Sequence, residues 1–170
     1  MMALAAEGDK SAFVALVSKY QGMLLNFFGR MGVYSGDGDD LVQETFLRLF
    51  NYRERYKPTA KFTTFLYLMA RQVQADYYRK QLRRTAMVEA FGKEPPQEEQ
   101  DNGQNEDRKF SVNKALNTLS EEMRCVIVMS IYQGLKYAEI AEVLDVPVGT
   151  VKTRMFHALQ KLRKVIKHDE

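Results

Sequence analysis

Apolar residues recur every three or four positions along most of the chain, which is the spacing of amphipathic helices. In the first 90 residues this pattern predicts three helices. The first has its apolar positions between Phe13 and Phe27 and Asp9 or Ser11 as its candidate cap. The second runs from near Asp39 or Asp40 to about 50, and the third from about 61 to 90. Glycine-rich and polar stretches at 31–38 and 51–60 predict a turn and a loop between them. The third helix is expected to bury a stripe formed by Phe62, Phe65, Leu66, Met69 and Val73.

The second half of the chain predicts another helical group. One helix should begin near Lys109, and a second should follow the N-cap Ser120 and stop at Gly134. A short helix over about 137–144, a turn at 145–147 and a last helix over 148–167 have the dimensions of a helix-turn-helix. The positions expected to face inward in this motif are Ile140, Ala141, Leu144, Val148, Val151, Met155, Ala158, Leu162 and Val165.

A polar, acidic stretch separates the two groups. Residues 91–107 contain a Pro95–Pro96 pair and six acidic residues, with almost nothing apolar after Phe91. Such a stretch cannot bury enough surface to offset its ordering entropy, so we predict a flexible acidic linker over 91–108. The expected fold is therefore all-α, with one helical module over 1–90 and a second over 109–168.

Charge and composition narrow the possible functions. Between Arg71 and Arg84 lie five basic residues and one acid, and 148–167 holds six basic residues and no acid. Two such segments suggest two contacts with a polyanion, although each is also compatible with a solvated helix face.

The single cysteine, Cys125, excludes an internal disulfide and is expected to be buried. No apolar run approaches the roughly 18 residues of a membrane span, so we expect a cytoplasmic protein without membrane contact of its own. No metal-ligand cluster, phosphate-binding loop or nucleophile–base arrangement is apparent, so no cofactor, metal or enzymatic activity is expected.

The last helix carries candidate DNA-binding residues. A helix fits the major groove of B-DNA, where Lys152 can donate to guanine or phosphate and Phe156 can touch a thymine methyl group. We predict duplex DNA binding, against the alternative of a packing module with a solvated basic face. The positions left on the outward face are Gly149, Lys152, Thr153, Phe156, His157, Gln160 and Lys161.

The same region resembles sigma factor domain 4. The resemblance rests on the strings Gly134–Ala141 and Val146–Arg154, preceded by Leu119–Arg124. It implies that this module reads the minus-35 promoter element and touches the polymerase beta flap. It also adds Tyr137 and Thr150 to the expected DNA contacts. The sequence departs from the family pattern at Ala138, His157 and Leu159.

The first module resembles sigma factor domain 2. The string Asp40–Leu49 reads DLVQETFLRL, and Thr64–Leu66, Met69–Arg71 and Asp76–Arg79 follow at the family's spacing. Leu41, Val42, Thr45 and Leu49 are expected to pack on the module's own core. The resemblance implies docking on the clamp helices of the polymerase beta-prime subunit through Asp40, Gln43, Glu44, Leu47 and Arg48.

The third helix is expected to present an outer stripe of aromatic and basic groups. Its members are Tyr67, Arg71, Gln74 and Tyr78. Such a stripe suits an opened DNA strand, whose bases stack on aromatic rings, although a solvated amphipathic face is the alternative. The resemblance implies recognition and melting of the minus-10 element here, and it adds Gln72, Asp76 and Arg79. Phe65 stands where the family usually has tryptophan, and Gln72 where asparagine is usual.

A domain 2 joined by a linker directly to a domain 4 is typical of the extracytoplasmic-function (ECF, group 4) sigma factors of the sigma-70 family. The resemblance implies a transcription initiation factor that binds core RNA polymerase and directs it to promoter DNA, with an anti-sigma factor as a further partner. Two alternatives remain. A helix-turn-helix regulator without polymerase docking leaves the string Asp40–Phe46 unexplained, and a helical adaptor that binds only protein leaves the acid-free face of 148–167 unexplained.

Overall fold

The computed structural model of the protein describes residues 1–33, 35–90 and 106–168, and this part of the chain is helical without any strand. The linker predicted over 91–108 lies mostly outside the described residues. A 3-10 turn (Arg53–Arg55) follows α3, and a π-helical turn (Val128–Tyr132) follows α6. The helices are α1 (Met2–Ala6), α2 (Lys10–Arg30), α3 (Ser35–Tyr52), α4 (Phe62–Ala90), α5 (Glu106–Asn117), α6 (Glu121–Ile127), α7 (Tyr137–Leu144) and α8 (Val148–His168).

The first helical group packs α2, α3 and α4 around a shared apolar core. Asp9 begins α2 as predicted, because its Oδ1 accepts hydrogen bonds from the backbone N–H groups of Ser11 (2.9 Å) and Ala12 (3.1 Å). Leu16, Leu24 and Phe27 of α2 are buried in this core. The short helix α1, which the hydrophobic pattern did not predict, also packs on α2 and contributes Met2 and Ala5 to the core.

Helix α3 begins earlier than the sequence predicted. It starts at Ser35 rather than near Asp39, so the prediction of a turn over the whole of 31–38 was wrong. Gly38, which favoured a turn, lies instead at a close approach between helices. A Cβ placed there would lie 3.2 Å from the Leu25 Cδ1 atom of α2. The missing side chain therefore serves helix packing rather than a turn.

The second helical group is built around α6. Ser120 caps this helix as predicted, accepting a hydrogen bond from the backbone N–H of Met123 (3.4 Å), and the chain turns at Gly134. All five residues from Cys125 to Met129 are buried, which means that this stretch is surrounded on all sides rather than on one face. Cys125 is buried as predicted, and its burial raises the pKa of the thiol to about 11. Helix α5 begins at Glu106, slightly before the predicted start near Lys109.

The two helical groups are packed against each other. Helix α4 lies along α7, and α2 touches the π-helical turn, so that the buried residues of both groups form one continuous core. This contact explains why Cys125–Met129 is covered on every side. None of the described helices combines the length and apolar character needed to cross a membrane.

Candidate nucleic-acid and polymerase interfaces

The helix-turn-helix forms as the sequence predicted. Helix α7 ends at Leu144, and the next residue, Asp145, adopts a left-handed backbone conformation with φ 51°. The N–H of Val146 donates to the carbonyl of Ala141 (3.1 Å). Ile140, Val151 and Ala158 are fully buried between the two helices. Val148 was predicted to face inward but is 39% exposed, because it lies at the open N-terminal end of α8.

The outward face of α8 is exposed and basic. Of the predicted minus-35 contacts, Tyr137 and Thr150 are half-buried, and the other seven are exposed. Phe156 lies on this face with 58% of its surface exposed. Two side chains already have intramolecular bonds. The Thr153 hydroxyl donates to the carbonyl of Gly149 (3.0 Å), and Lys161 Nζ donates to the carbonyl of Thr118 (3.2 Å).

An open groove runs between α2 and α3 beside the predicted polymerase anchor. It has a volume of about 570 Å³, a floor that includes Phe13, Val17 and Phe46, and a polar rim. Asp40, Gln43 and Leu47 are exposed at this surface, and Leu47 is 55% exposed. Leu41, Val42, Thr45 and Leu49 are buried beneath it, as predicted.

Glu44 and Arg48 have an intramolecular role that the sequence did not reveal. Arg48 forms ion pairs with Glu44 (2.7 Å) in the same helix and with Asp76 (2.8 Å) in α4. Asp76 also pairs with Arg79. The hydrogen bond from Arg48 holds the pKa of the Asp76 carboxyl below its ordinary value. Glu44, Arg48 and Asp76 therefore join α3 to α4, whereas Gln43 and Leu47 face outward.

The stripe predicted to lie on the outside of α4 is largely covered. Tyr67 and Gln74 are fully buried and Arg71 and Tyr78 are half-buried, so the prediction of an exposed stripe was wrong. Helix α4 is buried on two sides, since one stripe faces the first group's core and the neighbouring stripe faces the second group. Gln72 and Arg79 remain exposed.

The covered stripe forms a polar network. The Tyr67 hydroxyl donates to Gln133 Oε1 (2.6 Å), and the Tyr78 hydroxyl donates to the carbonyl of Met31 (2.7 Å). Arg71 Nη1 donates to Gln74 Oε1 (2.6 Å) and to Glu121 Oε1 (2.9 Å). Burial raises the pKa of the Tyr67 hydroxyl, which keeps it protonated as a donor.

Comparison with known proteins decides the family. Residues 16–84 match the model for sigma-70 region 2, and residues 109–162 match that for sigma-70 region 4. The ECF RNA polymerase sigma-E factors of Escherichia coli and Salmonella typhimurium are each 32% identical to this chain over 92% of it and 87% of their own length. That of Haemophilus influenzae is 29% identical over 94% of this chain and 90% of its own. The chain belongs to the ECF sigma factors.

Two solved proteins share its fold. CnrH, solved in complex with the cytosolic domain of CnrY, is 25% identical to this sigma factor, with a TM-score of 0.80 over 99% of this chain and 96% of CnrH. RpoE of Bartonella quintana, solved with the anti-sigma factor NepR, is 21% identical, with a TM-score of 0.74 over 94% of this chain and 99% of that one. A single superposition on CnrH spans both helical groups, so their relative placement is similar in the two proteins.

Sequence reasoning missed an aromatic and basic pocket on this sigma factor. The ring of Phe65 lies 5.4 Å from that of Tyr52 and 5.2 Å from that of Tyr56, measured between centroids. The pocket has a volume of about 640 Å³, and the rest of its lining is Arg55, Lys57 and Thr59. The spacing of aromatic residues through 50–65 was the available signal, but the loop brings these rings together only after it folds back on α4.

A second missed feature is an apolar groove on the C-terminal helical group. Its volume is about 290 Å³, and Ile131 at its edge is 58% exposed. Ile131 was hard to assign because the π-helical turn rotates it out of the register of α6. The groove is lined by Val112, Ala115, Leu116, Ile127, Ile131, Tyr132 and Leu162.

Proposed function

We propose that this ECF sigma factor divides promoter recognition between its two modules, residues 1–90 and 109–168, joined by a linker over 91–108. The C-terminal module reads the minus-35 element as duplex, and the N-terminal module recognises and melts the minus-10 element. The main support for this proposal is the outward face of α8, the second helix of the helix-turn-helix. This face is exposed and contains no acidic residue.

The duplex contacts are proposed to involve Gly149, Lys152, Phe156, His157, Gln160 and Lys161, with Tyr137, Thr150 and Thr153 beside them. Lys152 is exposed near the N-terminal end of α8, the part of a recognition helix that meets base edges. Lys161 lies farther along the helix, and it is suited to phosphate. Because the Thr153 hydroxyl already donates to Gly149, it is left to accept a hydrogen bond from a base or phosphate.

The opened strand is proposed to lie on α4 and in the aromatic pocket. The α4 residues assigned to this strand are Tyr67, Arg71, Gln72, Gln74, Asp76, Tyr78 and Arg79. The rings of Tyr52, Tyr56 and Phe65 supply flat surfaces for an unpaired base, and Arg55 and Lys57 supply cations for its phosphates. This combination supports binding of single-stranded DNA beside α4.

Core RNA polymerase is proposed to bind at two surfaces. The groove between α2 and α3 has Asp40, Gln43, Glu44 and Leu47 in its lining, and Arg48, which pairs with Glu44, is the further α3 residue assigned to this contact. The groove suits the clamp helices of the beta-prime subunit, because an apolar floor with a polar rim accepts an amphipathic helix. The apolar groove beside Ile131 suits the beta flap. We also propose an anti-sigma partner, since the relatives CnrH and RpoE were solved with CnrY and NepR.

The protein is proposed to act in the cytoplasm and to supply addressing and strand opening while the polymerase performs the chemistry. Run-off transcription with core polymerase on a genomic fragment library tests this directly. We expect discrete start sites whose upstream regions share two sequence elements. Transcripts that do not depend on added protein, or that start at random positions, would contradict the proposal.

A further inference from the structure

The 3-10 turn Arg53–Arg55 leads the chain from the end of α3 into the aromatic pocket. Tyr52 before the turn and Tyr56 after it both place their rings against that of Phe65, and Arg55 belongs to the pocket lining. None of the three residues of the turn is buried. The apolar core therefore does not fix the turn directly, and its position depends on the neighbours that contact it.

One set of contacts ties the turn to the residues just before it. The Arg53 guanidinium lies 3.8 Å above the centre of the Phe50 ring, and its Nη1 donates to the Phe50 carbonyl (2.7 Å). The Phe50 ring meets Phe13 of α2 edge-on, with 5.1 Å between the ring centroids. The Arg53 contacts span only three residues of sequence. They shape the turn locally, but they do not by themselves set where Tyr56 lies.

Helix α1 supplies a contact with the turn from a distant part of the chain. It packs on α2, with Met2 and Ala5 in the core, and it also packs on the 3-10 turn. Gly8 joins α1 to α2 with φ +99°, where glycine is favoured, and the N–H of Asp9 donates back to a carbonyl of α1 (3.0 Å). Because a helix of five residues is marginal in isolation, these contacts are what stabilise α1.

We propose that α1 positions the aromatic pocket for the opened strand, acting through the 3-10 turn. Met2 and Ala5 anchor α1 in the core, and α1 holds the turn so that the Tyr56 ring stays against Phe65. A base binds more tightly to rings that are already in place, because less conformational entropy is lost on binding. This inference rests on the proposed function, which makes an unpaired base the ligand of the pocket.

The structural test compares Ala5→Asp with Ala3→Asp in the full chain. Both changes place a carboxylate on α1, but Ala5 is 2% exposed whereas Ala3 is exposed. Ala5→Asp should release α1 from the core, because an unpaired charge is not tolerated there. The Tyr56 amide, which donates to the Arg53 carbonyl (3.2 Å), should then exchange hydrogen faster, while amides of α8 keep their rates. Equal Tyr56 exchange in the two variants would overturn the inference.

A deletion guards against misfolding as an explanation. Removing residues 2–8 keeps Asp9, the cap of α2, and buries no charge. The deletion should accelerate exchange of the Tyr56 amide as Ala5→Asp does. A deleted chain with the Tyr56 exchange rate of the unaltered protein would show that α1 does not hold the turn.

Promoter opening is the functional readout, followed by permanganate footprinting of unpaired thymines in the presence of core polymerase. Ala5→Asp should slow opening about fivefold relative to Ala3→Asp, the lower end of the loss expected for one stacked base. Both variants should bind core polymerase equally well, since α1 lies outside the lining of the groove between α2 and α3. A matching loss of polymerase affinity by Ala5→Asp would count against a role confined to the pocket.

A double variant separates positioning from general destabilisation. Ala5→Asp combined with Tyr56→Leu should open the promoter no more slowly than Tyr56→Leu alone, because both changes act on the same ring. Losses that multiply would refute the positioning role. Unaltered opening by Tyr56→Leu would refute the proposed function of the pocket, whereas normal opening by Ala5→Asp beside an impaired Tyr56→Leu would refute only the role of α1.

Discussion

Lys152 and Lys164 differ in where they stand along the recognition helix, although both are exposed lysines of α8. We expect Lys152→Ala to cost about 1–3 kcal/mol at the preferred minus-35 sequence and to relax preference there, because base contacts specify sequence. Lys164→Ala should weaken binding to all duplexes alike and reduce the salt dependence, since phosphate contacts carry no sequence information.

Binding titrations of the two variants on a matched and a scrambled minus-35 duplex, at several salt concentrations, check this prediction. Equal loss by Lys152→Ala on both duplexes would show that this residue contacts phosphate only.

Ionisation of Glu139 makes the stability of the contact between the modules depend on pH. Its pKa lies below the ordinary value of 4.5, first because of the hydrogen bond from Lys61 and then because of that from the Lys136 backbone N–H. A carboxyl whose pKa is lowered in the folded state stabilises that state when the pH is above the ordinary pKa of the group. This stabilisation is lost as the pH falls through the lowered pKa. The folded chain should therefore lose stability on the acid side.

Urea unfolding from neutral pH to about pH 4 and below measures this effect. Glu139→Gln should flatten the acid-side fall in unfolding free energy. Glu142→Gln is the matched control, because Glu142 is exposed on the same helix and forms no ion pair within the described residues. Identical pH dependence for both variants and the unaltered protein would mean that the Lys61–Glu139 pair contributes nothing measurable.

At the scale of single residues, the sequence predicted the buried positions better than the outward ones. The α3 motif placed Leu41, Val42, Thr45 and Leu49 correctly, since helical periodicity alone separates a core stripe from its opposite face. Tyr67 and Gln74 were misplaced because helical periodicity cannot reveal that a second module covers the outer face of a helix.

Among the helices, α3 carries the surface proposed to anchor the polymerase. We expect Leu47→Asp to weaken binding to core RNA polymerase at least tenfold, because the change places a charge beside the apolar groove floor. Its effect on unfolding should be small, since Leu47 is 55% exposed. This substitution is more specific than one at Glu44, whose ion pair with Arg48 also supports the packing of α3 on α4.

Val14→Asp provides the matched control for the anchor. Val14 is a comparably exposed apolar residue, 64% exposed on α2, and it does not line the groove. Pull-down with core polymerase and thermal unfolding of both variants give the comparison. Loss of polymerase binding by Val14→Asp as large as that by Leu47→Asp would remove the case for a localised anchor.

The helices themselves were largely predictable, and their ends less so. Local chemistry predicts where some helices begin or end, and the structure agrees at three such positions. Asp9 and Ser120 cap the starts of α2 and α6, and the chain turns at Gly134 with a positive φ. Gly38 misled the prediction because a glycine suits a close helix contact as well as a turn. The π-helical turn at Val128–Tyr132 follows no local signal in the sequence, and it begins with two buried residues, Val128 and Met129, and ends with two exposed ones, Ile131 and Tyr132.

For the whole molecule, the sequence predicted two modules and their chemistry but not their relative placement. That placement depends on contacts between residues far apart in the chain, such as Tyr67 with Gln133. No local sequence pattern predicts such contacts. It has a functional consequence, because it leaves the surfaces proposed for polymerase and duplex DNA exposed while it covers the α4 stripe.

Transcription from duplex and premelted forms of one promoter tests whether the C-terminal module reads duplex DNA while the N-terminal module opens the strand. The two variants are Lys152→Ala, on the proposed duplex-reading face, and Tyr56→Leu, in the aromatic pocket proposed for the opened strand. Both should transcribe poorly from duplex. A template already unpaired at the minus-10 element should rescue Tyr56→Leu, because a lost stacking contact of roughly 1–3 kcal/mol per base no longer limits opening. It should not rescue Lys152→Ala. Rescue of Lys152→Ala without rescue of Tyr56→Leu would contradict the assignment of duplex reading to the C-terminal module and strand opening to the N-terminal module.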